Sequence, residues 1–202
     1  MTRRLIDYGP AAALLECADL AEVLGLLPQL RGQPKINELT PGARTVLLRL
    51  DAPLDEAERR VLESMPTRST ENHDSNRIRI EVDYSGADLT AVADRIGTTP
   101  AEVVKLHTGQ IWTVGFCGFT PGFAYLQGEH DRLRVPRRPA PRSRVPAGAV
   151  GLADSWSGIY PRAGPGGWQL IGHTEAQLWN LDRTPPAMLQ PGFQVQFTAT
   201  AW

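Results

Sequence analysis

Phe119-Thr-Pro-Gly-Phe-Ala-Tyr-Leu126 opens the stretch that decides the fold. Val135-Pro-Arg-Arg-Pro-Ala-Pro-Arg142, Val145-Pro-Ala-Gly148, Gly158-Ile-Tyr-Pro161 and Gly164-Pro-Gly-Gly-Trp-Gln-Leu-Ile-Gly-His-Thr174 complete it. Proline locks one backbone dihedral and glycine frees both, so this density of the two dictates loop shape residue by residue, and aromatics and arginines interleave with them. The apolar runs between the turns are short, from Ile111-Trp-Thr-Val114 to Val195-Gln-Phe197, and no long helical period follows Thr108. Short strands separated by Pro/Gly turns predict a β-barrel or sandwich here.

Upstream the pattern changes. Leu5-Ile-Asp-Tyr8 and Ala13-Leu-Leu-Glu16 are strand candidates around the Gly9-Pro10 turn, and Asp19 is placed to cap a helix carrying Leu20, Val23, Leu24 and Leu27. Arg44 to Leu50 reads as a strand, Asp55 to Met65 as a helix with Ala57, Val61 and Leu62 on one face, and Arg77 to Tyr84 alternates as a half-buried strand should. That order predicts a small α+β domain over 1–84, a ferredoxin-like sandwich. Two helices follow as a connector: Asp88 to Ile96, capped by Asp88 and closed by Gly97, and Pro100 to His107, opened by Thr99-Pro100. The second domain, connector and barrel, then covers 85–202.

A chain of 202 residues with a net charge of -1 and a pI near 6.4 has no global basic field, so neither nucleic acid nor an anionic membrane is an expected partner. The apolar run Ala11 to Leu30 is interrupted by Glu16, Asp19 and Glu22 and broken by Pro28, which fits neither a signal peptide nor a spanning helix. Two cysteines, Cys17 and Cys117, make neither a disulfide framework nor a thiolate zinc site, and read as small buried residues. A cytoplasmic protein is expected.

Six arginines lie from Arg132 to Arg144 with no acid among them. Held by regularly spaced prolines, Arg137, Arg142 and Arg144 suit bidentate binding of a carboxylate or phosphate; the alternative is a solvated loop paired with acids elsewhere in the chain. Gly164-Pro-Gly-Gly167 could present backbone amides to an anion or simply make a tight turn, but it is neither a Walker loop nor a dinucleotide fingerprint. His73, His107, His130 and His173 show no metal-ligand spacing, so no metal is expected; His107 and His173 are the acid/base candidates. Ser143 and Ser157 lack a nucleophile elbow. Phe116, Phe119, Phe123, Tyr125, Tyr160 and Trp168 are mostly core, with a minority expected to line a groove or partner surface.

Gly86-Ala-Asp-Leu89, Glu102-Val-Val-Lys-Leu-His107, Gly118 to Leu126 and the segments quoted first resemble the allophanate hydrolase subunit 1 family, densely from Asp83 to Phe197. That family includes the B subunit of ATP-dependent 5-oxoprolinase, part of the carboxyltransferase domain of urea carboxylase, and an inhibitor of a sporulation histidine kinase. The resemblance implies a cyclophilin-like C-terminal barrel and a partner of the subunit 2 family. With a third, lactam-utilisation subunit, the assembly would couple ATP hydrolysis to opening 5-oxoproline to glutamate, the nucleotide motif lying off this chain. Carboxyl transfer to a urea-like amide and kinase inhibition are the other activities it implies. By similarity Pro121, Gly122, Tyr125, Pro136, Arg137, Pro141, Arg142, Tyr160, Pro161, Gly166, Gly167 and Trp168 occupy family motif positions. With Phe119 and Arg144 they outline the expected binding surface for a small anionic lactam or amide, or for a partner. His173, where arginine is common, and Asp154-Ser-Trp-Ser157, where glycine is, depart from the family pattern. Lacking a nucleotide loop and a convincing nucleophile, the chain should be inactive alone.

Overall fold

The computed structural model describes residues 3–68 and 77–200, with thirteen strands and four α-helices among them. The chain divides into two compact units, Met1–Asn72 and His73–Trp202.

In the first unit, β1 (Arg4–Asp7) and β2 (Ala12–Glu16) form a hairpin turned at Gly9, whose φ of +83° few other residues adopt. α1 (Leu20–Leu30) follows, then β3 (Ile36–Pro41), β4 (Thr45–Leu50) and α2 (Glu56–Ser64). The sheet order is β1-β2-β4-β3, antiparallel throughout, with Leu5 opposite Leu15 and Leu15 opposite Val46, all buried. Asp19 accepts the Glu22 N–H at 2.9 Å, and Asp55 and Glu58 close a reciprocal capping box on α2, the expected helix starts.

Three expectations change here. The element order is ββαββα rather than the βαββαβ of a ferredoxin-like sandwich. α1 runs through Pro28 to Leu30, because a proline this late removes one bond in a final turn whose inner face is held by buried Leu26, Leu27 and Leu30. Of the apolar face read into α2, only Leu62 is buried; Ala57 and Val61 are exposed.

The second unit begins with β5 (Arg77–Val82), α3 (Leu89–Arg95) and α4 (Pro100–Thr108). Strands β6 (Trp112–Cys117), β7 (Ala124–Gly128), β8 (Arg142–Val145), β9 (Ala149–Ala153) and β10 (Trp156–Ile159) come next, then β11 (Gly164–Gly166), β12 (Gln169–His173) and β13 (Gln194–Ala199). Seven of these form one mixed sheet in the order β12-β9-β10-β7-β6-β13-β5, in which only β13 and β5 run parallel. Its two ends meet where Asp83 and His173 exchange backbone hydrogen bonds of 2.8 Å, so the sheet nearly closes on itself. This is a barrel of the cyclophilin-like kind that the resemblance implied. Its core takes Trp112, Val114, Leu126, Val150, Ile171 and Phe197 from the strands, Leu89 and Val92 from α3, and Val103 and Leu106 from α4.

The expected boundary at 84/85 therefore falls inside the second unit. β5 pairs with β13 along its full length, from Arg77 opposite Gln194 to Val82 opposite Ala199. Strict alternation marks a half-buried strand without saying which sheet receives it. Among the described residues no helix is long and apolar enough to cross a membrane.

Candidate functional site

Gly118 to Phe123 is a tight loop: the Gly118 N–H donates to the Phe123 carbonyl at 3.1 Å and the Phe123 N–H to the Thr120 carbonyl at 3.0 Å. The loop forces Phe119 to a φ of +67°, a conformation costly for a bulky residue, and leaves the residue 63% exposed. Gly122, at φ +82°, lies so close to Trp179 and Pro161 that a Cβ would stand 3.0 Å and 3.3 Å from their side chains. Phe123 turns inward and meets Tyr160 and Trp168 edge to face, each with ring centroids 5.3 Å away, and Tyr125 meets Trp168 at 5.6 Å. Phe123, Tyr160 and Trp168 are buried with Val145, Ala149, Ala153 and Leu170 in a core of their own.

The arginine arm and the glycine turn close over this core. β11 pairs with β8, Gly164 opposite Val145 and Gly166 opposite Arg142, and the Arg138 N–H donates to the Gly167 carbonyl at 2.8 Å. Gly166 has no room for a side chain, because the Tyr160 hydroxyl holds that space. Three segments that carry most of the expected binding surface, Phe119 to Leu126, Arg137 to Arg144 and Gly164 to Trp168, converge on one aromatic cluster. Pro121 and Pro161 flank it, exposed and half-buried.

The arginines divide. Arg132 pairs loosely with Glu102 at 3.6 Å. Arg138 Nη1 and Arg142 Nη2 each lie 2.8 Å from Asp88 Oδ1, and the Leu170 N–H donates to Asp88 Oδ2 at 2.7 Å. Asp88 is 4% exposed. Burial pushes its carboxyl up, but the Arg142 and Leu170 hydrogen bonds and the charges of Arg142 and Arg138 outweigh this and hold it below the usual carboxylate range. The sequence made Asp88 the cap of α3; its side chain makes no cap bond and is spent on the arm instead. For Arg142, pairing with a distant acid is what the structure shows. Arg137 and Arg144 are exposed and make no ion pair among the described residues. Arg138 Nε, Arg142 Nη1 and Thr120 Oγ1 are buried atoms without a hydrogen-bond partner. Tyr160 is pushed up by burial, against the Trp168 backbone hydrogen bond and the nearby charges of Arg137 and Arg142.

The two histidine candidates lie elsewhere. His107, at the end of α4, is wholly buried, with Nδ1 2.7 Å from the Tyr84 hydroxyl and Nε2 2.8 Å from Ser157 Oγ. Its ring stacks on Phe197 at 4.3 Å, and burial lowers its pKa to about 3. Sealed from solvent, it orders the core rather than meeting a substrate. His173 is accessible: Nε2 lies 3.1 Å from the Ala147 carbonyl, Nδ1 3.4 Å from Glu175, and the ring lines a cleft of about 900 Å³ with Arg79, Glu81 and Asp83. None of the residues lining that cleft belongs to the three converging segments. His73 lies outside the described residues. Burial raises both thiols, Cys17 to about 11, which leaves neither as a thiolate at neutral pH. Among the described residues no three His, Cys, Asp or Glu side chains gather as a metal site.

A barrel with this loop cluster is a carboxyltransferase-type fold: the sequence model for carboxyltransferase domain, subdomain C and D, matches residues 4–189, and the chain belongs to that family. Within it, the chain is 38% identical over 205 residues to the B subunit of 5-oxoprolinase from Escherichia coli O157:H7, covering 97% of this chain and 91% of the relative. It is 45% identical over 123 residues to the Haemophilus influenzae protein of the same name, covering 59% of this chain and 58% of the relative. These are the relatives that the loop motifs led us to expect. Among solved structures, TTHA0988 superposes with a TM-score of 0.78 at 32% identity over 95% of this chain, which spans only 40% of that longer chain. PH0987 from Pyrococcus horikoshii superposes with a TM-score of 0.60 at 30% identity over 97% of both chains. Kluyveromyces lactis urea carboxylase shares the fold, with a TM-score of 0.70 at 18% identity over 98% of this chain and 22% of its own.

Proposed function

We propose that this chain is the B-type subunit of a cytoplasmic, ATP-dependent 5-oxoprolinase and contributes the binding surface for the anionic lactam. The observation that carries the reading is the 38% identity to the B subunit of a 5-oxoprolinase across 97% of the chain. The site chemistry is consistent with it: 5-oxoproline carries a carboxylate, and the loop cluster holds arginine charge in excess of the one acid that meets it.

In this reading the nucleotide and the groups that attack the lactam belong to partners, one of the subunit 2 family and a third subunit. This chain displays no phosphate loop in sequence, the accessible one of its two histidine candidates, His173, faces a different cleft, and its thiols are protonated. The experiment is reconstitution. The chain mixed with its two partners and ATP should convert 5-oxoproline to glutamate, and the chain alone should not. Turnover by the isolated chain, or none by a complete, folded assembly, rejects the reading. Should the assembly instead carboxylate a urea-like amide in a biotin-dependent manner, the carboxyltransferase reading suggested by the family model replaces it.

A further inference from the structure

We propose that Asp88 is a positioning residue for carboxylate recognition: it fixes the arm that carries Arg137 without neutralising the arm's charge. This rests on the lactam-binding reading above for the ligand's class, but not for the geometry.

Asp88 accepts from three elements at once. Arg138 and Arg142 reach it from the two ends of the arm, and the Leu170 N–H from β12; the Asp88 N–H in turn donates to the Leu170 carbonyl at 2.8 Å. Arg138 is therefore held twice, by its side chain to Asp88 and by its backbone N–H to Gly167. Arg137 is its chain neighbour, so those bonds restrain the backbone from which the Arg137 side chain extends. Arg137 is exposed, without an ion pair among the described residues, and near enough to Tyr160 for its charge to act on the phenol.

Charge counting gives the arm its ligand. Two guanidinium groups share one carboxylate, and Arg138 Nε and Arg142 Nη1 still lack partners. Arg137 and Arg144 add to the surplus. Deletion of the Asp88 charge would free Arg138 and Arg142 to swing, raising the positive charge while loosening the arm. A purely electrostatic role for Asp88 predicts tighter anion binding on its removal, and a positioning role predicts weaker binding. The two differ in sign.

The test is binding by the full-length chain, with 5-oxoproline as probe and its carboxamide as control, followed by tryptophan fluorescence or calorimetry. Wild type should bind the acid and not the amide. Asp88→Asn should bind the acid roughly ten-fold more weakly, the size of effect expected when one charge-assisted contact is lost. In the double variant Asp88→Asn/Arg137→Ala, affinity should fall no further than in Arg137→Ala alone, because Asp88 acts through Arg137. Should Asp88→Asn not fold, Asp88→Glu, which keeps the charge and moves it by a methylene, takes its place: an electrostatic role then predicts unchanged binding and a positioning role weaker binding. Equal or tighter binding by the folded Asp88 variants, additive losses in the double variant, or no carboxylate binding by wild type each overturns the proposal. Failure of glutamate formation in the reconstituted assembly bears on the 5-oxoprolinase reading and leaves these binding measurements standing.

Discussion

The hydroxyl and ring edge of Tyr160 occupy the space where Gly166 would carry a side chain, so the glycine turn and the aromatic core interlock there. Tyr160 is 2% exposed and cannot retreat toward solvent. Gly166→Ala should therefore push β11 off β8 and cost about 1–3 kcal/mol, the range for overpacking a filled site. Tyr160→Phe in the same background should recover part of the loss, a rescue that urea denaturation of the single and double variants will measure.

Arg137 and Arg142 should separate stability from recognition. Arg137→Ala removes an exposed, unpaired side chain and should shift stability by less than about 0.5 kcal/mol. Arg142→Ala leaves the buried Asp88 carboxylate with Arg138 and the Leu170 N–H only, and should cost about 1.5–3 kcal/mol. In the reconstituted assembly both should lower turnover of 5-oxoproline. Thermal melts beside activity assays distinguish the two, and equal melting behaviour would contradict the Asp88 contacts.

The burial of His107 sets an acid limb on stability. Unfolded, its ring takes a proton near the ordinary value of 6.5; folded, it stays neutral down to about 3. Protonation thus favours the unfolded chain, and this contribution is full above pH 6.5 and lost as pH falls toward 3, at up to about 1.4 kcal/mol per pH unit. His107→Gln removes the titration, so the difference between wild type and variant should shrink as the solution is acidified. A difference constant from pH 7 to pH 4 would show that the ring is not held neutral.

Phe119 should invert a common ranking. At a φ of +67° glycine is unstrained while alanine keeps the steric penalty of a Cβ. Phe119→Gly should consequently be more stable than Phe119→Ala by about 1 kcal/mol, where glycine at an ordinary loop position is the weaker choice. Denaturant midpoints of the two variants decide it.

The barrel was legible because its code is local. Each Pro/Gly turn announces the end of a strand within a few residues, and two of the three loop segments, Phe119 to Leu126 and Gly164 to Trp168, carry their own aromatics. The helix starts at Asp19, Asp55 and Thr99 were legible for the same reason, since a cap bonds three residues away. Strand β3 was not: Ile36-Asn-Glu-Leu-Thr-Pro41 is a polar edge strand with a bulge between Ile36 and Glu38, and it shows no clean alternation. Nor was the sheet that receives β5. Asp88 was misread for a related reason. It stands at the start of a helix, where an aspartate normally caps, and its true partners lie 50 and 54 residues onward. Nothing near Asp88 in sequence reports that Arg138 and Arg142 will arrive there, just as nothing near His107 reports the Ser157 hydroxyl 50 residues away.

The parallel pairing of β5 with β13 also sets a timetable. Arg77 and Gln194, opposite each other in register, are separated by 117 positions, so the earliest strand of the barrel leaves the ribosome long before its neighbour exists. Until β13 emerges, β5 is an unpaired edge and Ile80 and Val82, buried in the finished protein, have no β13 to pack beside. Closure of the second unit therefore waits for β13 and carries a high loop-closure cost, whereas the hairpins of the first unit pair between near neighbours.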